Sequence, residues 1–362
     1  MYQVIFMNKM EECFMNDTIY KCLLKAEMQA FLGEVLAKGY QAKHIRSVLK
    51  EFDEFMVTHY KSMKTVTLDM YDEWFETNIR LDKHTIYQKS TVLIRFFKYL
   101  VSIGHECSIP PTPRWFRNDY IPHIYTHEEI SRLLSACDSL RLKENVPSSC
   151  LMAIPAIVRT LYSTGIRIGE ALSIRNIDVD FDCHCISLNK TKNGRQRLVP
   201  INESLENVLR QYISYRNKIP LDGIVSNESF LFVNGLGNKI PKCSVSRWFI
   251  IALEMAGIRY NGNGKGPRLH DLRHTAAVRA FENLISSGKD PYSCIPQVAL
   301  FLGHTSYKQS EYYLRLTAAM HPNLIKMDDS VVGDIIKINK ILEYNEKQKI
   351  KEGELYSVSY TH

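Results

Sequence analysis

A proline run, Ser108-Ile109-Pro110-Pro111-Thr112-Pro113, divides this 362-residue chain into two parts that cannot share one continuous helical core. Proline lacks the amide proton and its ring clashes with the preceding turn, so a helix ends before such a run. Closely spaced prolines are also semi-rigid, which suits a spacer between two domains. A chain of this length is expected to hold two domains. The pattern of residues changes across the break.

Before the prolines the pattern is helical. Ile45, Val48, Leu49, Phe52, Phe55 and Met56 recur at three- and four-residue steps, as do Leu93, Phe96, Phe97 and Leu100. A shorter helix is predicted over Met70 to Ile79, around Trp74. Amphipathic helices with short links predict a small bundle over residues 20–107, after an extension of residues 1–19. Beyond a linker at 108–118, a second domain is expected over 119–325. Thr126 and Glu129 have the spacing of a capping box, so a helix should begin there. Another helix is predicted from about Ala153 to Ser163. Cys185 to Leu188 and Arg197 to Ile201 are short apolar runs flanking Asn193-Gly194, which favours a tight hairpin turn. From His270 the chain reads as helical again. Its tail, residues 326–362, carries Val331, Ile335, Ile338 and Leu342 on one stripe. The expected fold is mainly α with a small β-hairpin or sheet.

Composition narrows the function classes. With 46 Lys and Arg against 39 Asp and Glu, the net charge is +7, which fits a nucleic-acid partner without requiring one. Nine cysteines, an odd number at irregular spacing and without a CxxC pair, point to reduced thiols in a cytoplasm. Cys183-His184-Cys185 lacks the second ligand cluster that a zinc site needs. No apolar run is long enough to span a membrane, and the start lacks a basic leader and cleavage site.

Four short stretches of the second domain carry chemistry. Thr164-Gly165-Ile166-Arg167-Ile168-Gly169-Glu170 places a glycine just before an arginine, where backbone can approach a ligand and Arg167 can fork onto a phosphate. Glu170, three residues on, can buttress that arginine. The hairpin holds Lys190, Lys192, Arg195 and Arg197 without one acid, a pattern able to follow a nucleic-acid backbone. Lys192, just before the turn, is the one expected to reach inward. In Arg268-Leu269-His270-Asp271-Leu272-Arg273-His274, His270 and Arg273 share a helix face. Leu302-Gly303-His304 is followed nine residues later by Tyr313, with Tyr312 beside it. Singly, each stretch has a plain alternative: a helix start, a solvated turn, a surface helix, one of 20 tyrosines. Together they supply a phosphate clamp, an acid, a base and a nucleophile. There is no carboxylate cluster for a metal and no GxxxxGK[ST] loop for a nucleotide.

In this order and spacing the residues resemble the tyrosine recombinase (phage integrase) family, over about residues 20–325. The resemblance implies a helical core-binding domain followed by a mixed α/β catalytic domain. It puts catalytic roles on Arg167, Lys192, His270, Arg273, His304 and Tyr313, with Glu170 in support. Lys190, Arg195, Arg197 and Arg268 are the expected DNA-binding residues. Tyr312 and Lys190 are the fallbacks for nucleophile and hairpin lysine, and TSYKQSEY lacks the usual paired threonines before the tyrosine. The implied activity is site-specific cleavage and rejoining of double-stranded DNA through a 3′-phosphotyrosyl bond, without ATP, metal or cofactor. The implied assembly is a homotetramer on two duplexes, with a monomer or dimer in the absence of DNA. The tail resembles segments that pack on a neighbouring subunit, and packing on its own domain is equally open. Mobile-element work in the cytoplasm, on nucleoid DNA, is the expected setting. Two alternatives stay open: strand relaxation of the type IB topoisomerase kind, and a non-catalytic DNA-binding accessory factor.

Overall fold

The computed structural model describes residues 20–39, 42–113, 122–142, 146–189, 196–262, 266–304 and 306–320. Lys190, Lys192, Arg195, the Asn193-Gly194 turn, the extension 1–19 and the tail stripe Val331, Ile335, Ile338 and Leu342 lie outside the described residues. The chain falls into two compact units, residues 1–120 and 121–362.

Among the described residues the first unit holds four helices: α1 (Lys25–Ala37), α2 (Lys43–His59), α3 (Leu68–Thr77) and α4 (Lys83–Ser102). The apolar stripe of α2 is buried as its periodicity predicts. Phe52 from that stripe meets Trp74 of α3 and Phe97 of α4, with ring centroids 6.4 and 5.5 Å apart. One acid interrupts the stripe. Asp53 is buried and accepts the backbone N–H groups of Lys21 and Cys22 at 2.8–2.9 Å, so a charged side chain fixes the entry of the chain into the bundle. The helix expected over Met70 to Ile79 runs two residues earlier. Thr67 caps its start, and Asn78 ends it by donating its side-chain amide to the Trp74 carbonyl at 2.9 Å. Val66 and Cys107 bridge in parallel, with the Ser108 N–H donating to the Val66 carbonyl at 2.9 Å.

In the second unit α5 (His127–Ser139) begins with the expected capping box: the Glu129 N–H donates to Thr126 Oγ1 at 3.1 Å, and the Thr126 N–H to Glu129 Oε2 at 2.9 Å. α6 (Ile154–Thr164) is mostly buried, tolerates Pro155 in its first turn, and ends at Gly165 with φ 62°. A single turn, α7 (Ile168–Ala171), follows. The expected hairpin is the larger part of a three-stranded antiparallel sheet in the order β1 (Val179–Asp180), β2 (Cys185–Leu188), β3 (Arg197–Pro200). Its register sets Cys185 opposite Pro200 and Leu188 opposite Arg197. Between β1 and β2, His184 takes a positive φ of 50° and pairs with Glu206 at 2.7 Å, so Cys183 and His184 form the turn and Cys185 opens β2. Among the described residues no His, Cys, Asp and Glu cluster is suited to a metal, and no helix is long and apolar enough to cross a membrane.

α8 (Glu203–Arg216), α9 (Lys242–Met255), α10 (Leu269–Ser286), α11 (Pro291–Leu302) and α12 (Tyr307–Met320) complete the unit. α10 packs against α6, α11 and α12. Ile157, Leu161, Phe249, Leu253 and Leu272 are among the main core. Ala277, Phe281, Val298, Leu302, Tyr313 and Leu314 form a second cluster where α10, α11 and α12 meet. The mainly helical fold with a small sheet is the one the sequence predicts.

Candidate active site

The site is built where α6 and α11 end and α10 begins. Gly165 and Gly303 terminate α6 and α11 in the left-handed conformation, with φ 62° and 67°. Each glycine is followed within two residues by a cationic or titratable side chain, Arg167 and His304.

Arg167 opens α7 and is held by its own third-following residue. Its backbone N–H donates to Glu170 Oε2 at 2.9 Å and its Nη1 to Glu170 Oε1 at 3.0 Å. Glu170 is only 4% exposed. Burial raises its pKa, but hydrogen bonds from Arg197 and the Arg167 N–H, with both guanidinium charges, bring it below the usual carboxylate range. The buttress expected of Glu170 is therefore present.

Arg273 lies one turn into α10 and is almost wholly buried. Its Nη1 donates to the Gly165 carbonyl at 2.6 Å and its Nη2 to the Leu302 carbonyl at 2.7 Å. One guanidinium thus ties the chain before Arg167 to the chain before His304. Burial, then Arg167, lower its pKa to about 10, and the cation persists at neutral pH.

Tyr313 projects from α12 onto this cation and is 4% exposed. Burial raises its phenol pKa, while the charge and hydrogen bond of Arg273 oppose the rise. The net shift is upward, so the resting phenol is protonated and its attack requires a proton acceptor. His304 stacks parallel to the Tyr313 ring, and its Nδ1 meets Ser310 Oγ at 2.8 Å. His270 and His274 pack edge to face, with centroids 4.8 Å apart, and His274 lies 5.4 Å from the Tyr313 ring. Burial, then Arg273, hold His270 at about 4 and His304 at about 4. Burial and the neighbouring His270 hold His274 at about 3. All three imidazoles are neutral at physiological pH and able to take a proton.

Arg167, Glu170, Arg273, His304 and Tyr313 are joined by this network, and His270 adjoins it through His274. Tyr312 points away, 42% exposed. Arg268 starts α10, its N–H donating to Asp271 Oδ2 at 2.9 Å and its Nη2 lying 3.3 Å from Oδ1. Arg197 is among the residues expected to bind DNA. Its side chain is 12% exposed, and it points inward onto Glu170 with Nη2–Oε2 2.9 Å and Nη1–Oε1 3.3 Å. Strand alternation carries the signal that finds this: Val199 is buried and Leu198 exposed, so Arg197 shares the inner face. Ser310, fully buried against His304, is a site residue that the sequence reading missed, whereas His274 is the neighbour that the Arg268–His274 stretch sets beside His270.

The phage integrase family description matches residues 124–320. A putative integrase/recombinase of Sinorhizobium fredii is 31% identical over 225 residues, covering 60% of this chain and 70% of that protein. Tyrosine recombinase XerC of Oceanobacillus iheyensis is 23% identical over 297 residues, covering 78% of this chain and 87% of that protein. Among solved structures, the Tn1549 transposon integrase with transposon right end DNA superposes with a TM-score of 0.58 at 17% identity, over 83% of this chain and 99% of that one. A lambda integrase dimer bound to a core site gives 0.55 at 15% identity, over 80% and 77%. At such identities the structural likeness is one of fold.

Proposed function

Since the chain belongs to the phage integrase family and is a tyrosine-type DNA strand transferase, we propose that it recombines double-stranded DNA at specific sites, with Tyr313 as nucleophile. The observation that carries this reading is the meeting of Tyr313 with Arg273, a guanidinium already bonded to the backbone beside Arg167 and beside His304.

The Tyr313 oxygen attacks a DNA phosphorus and forms a 3′-phosphotyrosyl bond, and the P–O bond to the 5′ oxygen breaks. Arg167 and Arg273 hold the non-bridging oxygens and stabilise the charge gathering there. His304 adds a hydrogen bond. His270 takes the phenolic proton once the DNA phosphate offsets the Arg273, Arg268 and Arg167 charges that lower its basicity in the free protein. Lys192, carried between β2 and β3, protonates the departing 5′ oxygen. The phosphotyrosine conserves the bond energy, so a 5′-hydroxyl of another strand reverses the step without ATP, cofactor or metal.

The first unit acts as the core-binding domain, and Lys190, Arg195 and Arg268 contact the DNA backbone. Four subunits work on two duplexes. The tail beyond residue 325 contributes to assembly. The setting is mobile-element DNA in the cytoplasm, which the transposon integrase and lambda integrase complexes support by their fold.

The test is covalent capture. The full chain is incubated with nicked duplexes of randomised sequence, from which the fragment bearing the freed 5′-hydroxyl diffuses away. The expected result is an SDS-resistant adduct whose phosphotyrosyl peptide contains Tyr313. DNA binding without an adduct on any duplex would leave a non-catalytic factor, and the proposal would fall.

A further inference from the structure

We propose that Arg197 is a positioning residue of the strand-transfer site: its guanidinium clamps the carboxylate that holds Arg167 and underlies the backbone turn that presents His304. This inference rests on the recombinase reading above.

Glu170 carries two guanidinium groups. Arg197 grips it fork to fork at 2.9 and 3.3 Å, while Arg167 bonds the same two oxygens from its N–H and Nη1 at 2.9 and 3.0 Å. Each carboxylate oxygen is thus engaged from both sides, and the carboxylate has no freedom to turn. A carboxylate held only by Arg167 could follow that side chain, and the phosphate clamp would be less preorganised. Planar bidentate pairing of this kind is a property of arginine, which a lysine ammonium does not reproduce.

The same guanidinium lies flat against Gly303. A Cβ on Gly303 would stand 2.5 Å from Arg197 Nη1, 2.6 Å from Cζ and 2.8 Å from Nε. A side chain there would displace the Arg197 guanidinium, so glycine serves this approach as well as its φ of 67°. His304 follows directly, its N–H bonded to the Ala299 carbonyl at 2.9 Å. Arg197 therefore touches the supports of two groups that face the phosphate. In the sheet it stands opposite Leu188, the last residue of β2. Its Nε is buried and has no partner among the described residues, and its side chain is only 12% exposed, which suits an internal clamp better than a place along a DNA backbone.

The experiment compares wild type, Arg197→Ala and Arg197→Lys on a nicked duplex that wild type captures, with DNA affinity measured in parallel. Arg197→Ala is expected to slow adduct formation about 100-fold, the scale of a small misplacement of reacting groups, with the Kd for that duplex unchanged within about threefold. Arg197→Lys should recover part of the rate, because its charge remains and its fork does not. A second substrate replaces the 5′ bridging oxygen with sulfur, whose thiolate leaves without a proton. The Arg197→Ala deficit should be equally large there, since the defect lies in the phosphate clamp. An Arg197→Ala rate within about twofold of wild type would overturn the proposal. So would a parallel fall in affinity, which marks a DNA contact, or recovery on the sulfur substrate, which marks action through the acid. Should Arg197→Ala not fold, a wild-type rate in Arg197→Lys would overturn it. A wild type that forms no adduct on any duplex instead removes the recombinase reading itself.

Discussion

The His304 and Tyr313 rings lie nearly parallel, 11° between planes and 5.9 Å between centroids. Ser310 Oγ meets Nδ1 of the imidazole at 2.8 Å, which leaves Nε2 as the ring's other polar atom. The hydroxyl thereby holds the tilt of the ring and can pair with either tautomer of the histidine. Ser310→Ala is expected to lower the rate of DNA cleavage about tenfold, through a looser imidazole, and to leave DNA affinity unchanged. Equal single-turnover rates in wild type and variant would show that the ring is held by its stacking alone.

Tyr312 and Tyr313 are neighbours with opposite surroundings. Tyr313 is 4% exposed and faces Arg273, whereas Tyr312 is 42% exposed, with its ring edge-on to Tyr313. Tyr313→Phe should abolish the covalent adduct while retaining DNA binding in a mobility-shift assay. Tyr312→Phe should form adduct at a rate within about threefold of wild type, as for a surface change near the site. Adduct persisting in Tyr313→Phe and vanishing in Tyr312→Phe would exchange the two roles.

Three histidines of the site, His274 and His304 half-buried and His270 exposed, make stability depend on pH. Folding holds His270 at about 4, His274 at about 3 and His304 at about 4, each from an ordinary 6.5, chiefly by burial. The unfolded chain takes up these protons near 6.5 and the folded chain does not until lower pH. In that window the unfolded state binds more protons, so stability rises with pH. The contribution is complete above about 6.5 and is lost as pH falls towards about 4. Urea melts at several pH values should therefore show a steeper acid loss in wild type than in a His270→Gln, His274→Gln double variant. Parallel curves would mean that the loss arises from carboxylates elsewhere.

Much of this site is legible in the chain order of its boxes. Gly165 and Gly303 announce helix ends, and the spacing of His270 and Arg273 survives as one face of α10. What links the boxes is less legible. Arg273 is held by two backbone carbonyls, those of Gly165 and Leu302, and a main-chain acceptor leaves no trace in residue identity. Arg197 reads as one more cation in a basic hairpin, because deciding its face requires knowing which side of a four-residue strand is buried. β1 has only two residues and carries no periodic signal, so the sequence marks the two hairpin strands of the small sheet and not its third strand. Asp53 is invisible for a related reason: an acid within an apolar stripe looks like a gap until the chain entering the bundle is seen to donate to it.

That acid gives a prediction for the first unit. Asp53→Ala would strip the acceptor from the Lys21 and Cys22 N–H groups. Buried donors left without partners cost about 1–3 kcal/mol each. Part of that is relieved where Lys21 meets solvent, so a loss of about 2 kcal/mol in unfolding free energy is expected. A chemical denaturation curve superposable on wild type would show that water replaces the carboxylate without penalty.

Gly165 tests how far the catalytic arginines depend on backbone geometry. Its φ of 62° is strained for any L side chain, and a Cβ there would meet Leu302 Cδ2 at 3.0 Å and Phe301 Cε1 at 3.2 Å. The backbone strain alone costs about 1–2 kcal/mol, and crowding of the neighbouring α11 side chains adds to it. Because the Gly165 carbonyl accepts from Arg273 at 2.6 Å, any relaxation of the turn also moves that guanidinium. Gly165→Ala should therefore lower both the melting temperature and the rate of DNA cleavage. Strain at a helix end in the first unit is the control. Gly104 has φ 86°, and a Cβ there would meet nothing within 4 Å, so Gly104→Ala should lower stability by a similar backbone term and spare the cleavage rate. Equal cleavage losses in the two variants, measured well below their melting temperatures, would trace the effect to general destabilisation and not to the hydrogen bond between Arg273 and the Gly165 carbonyl.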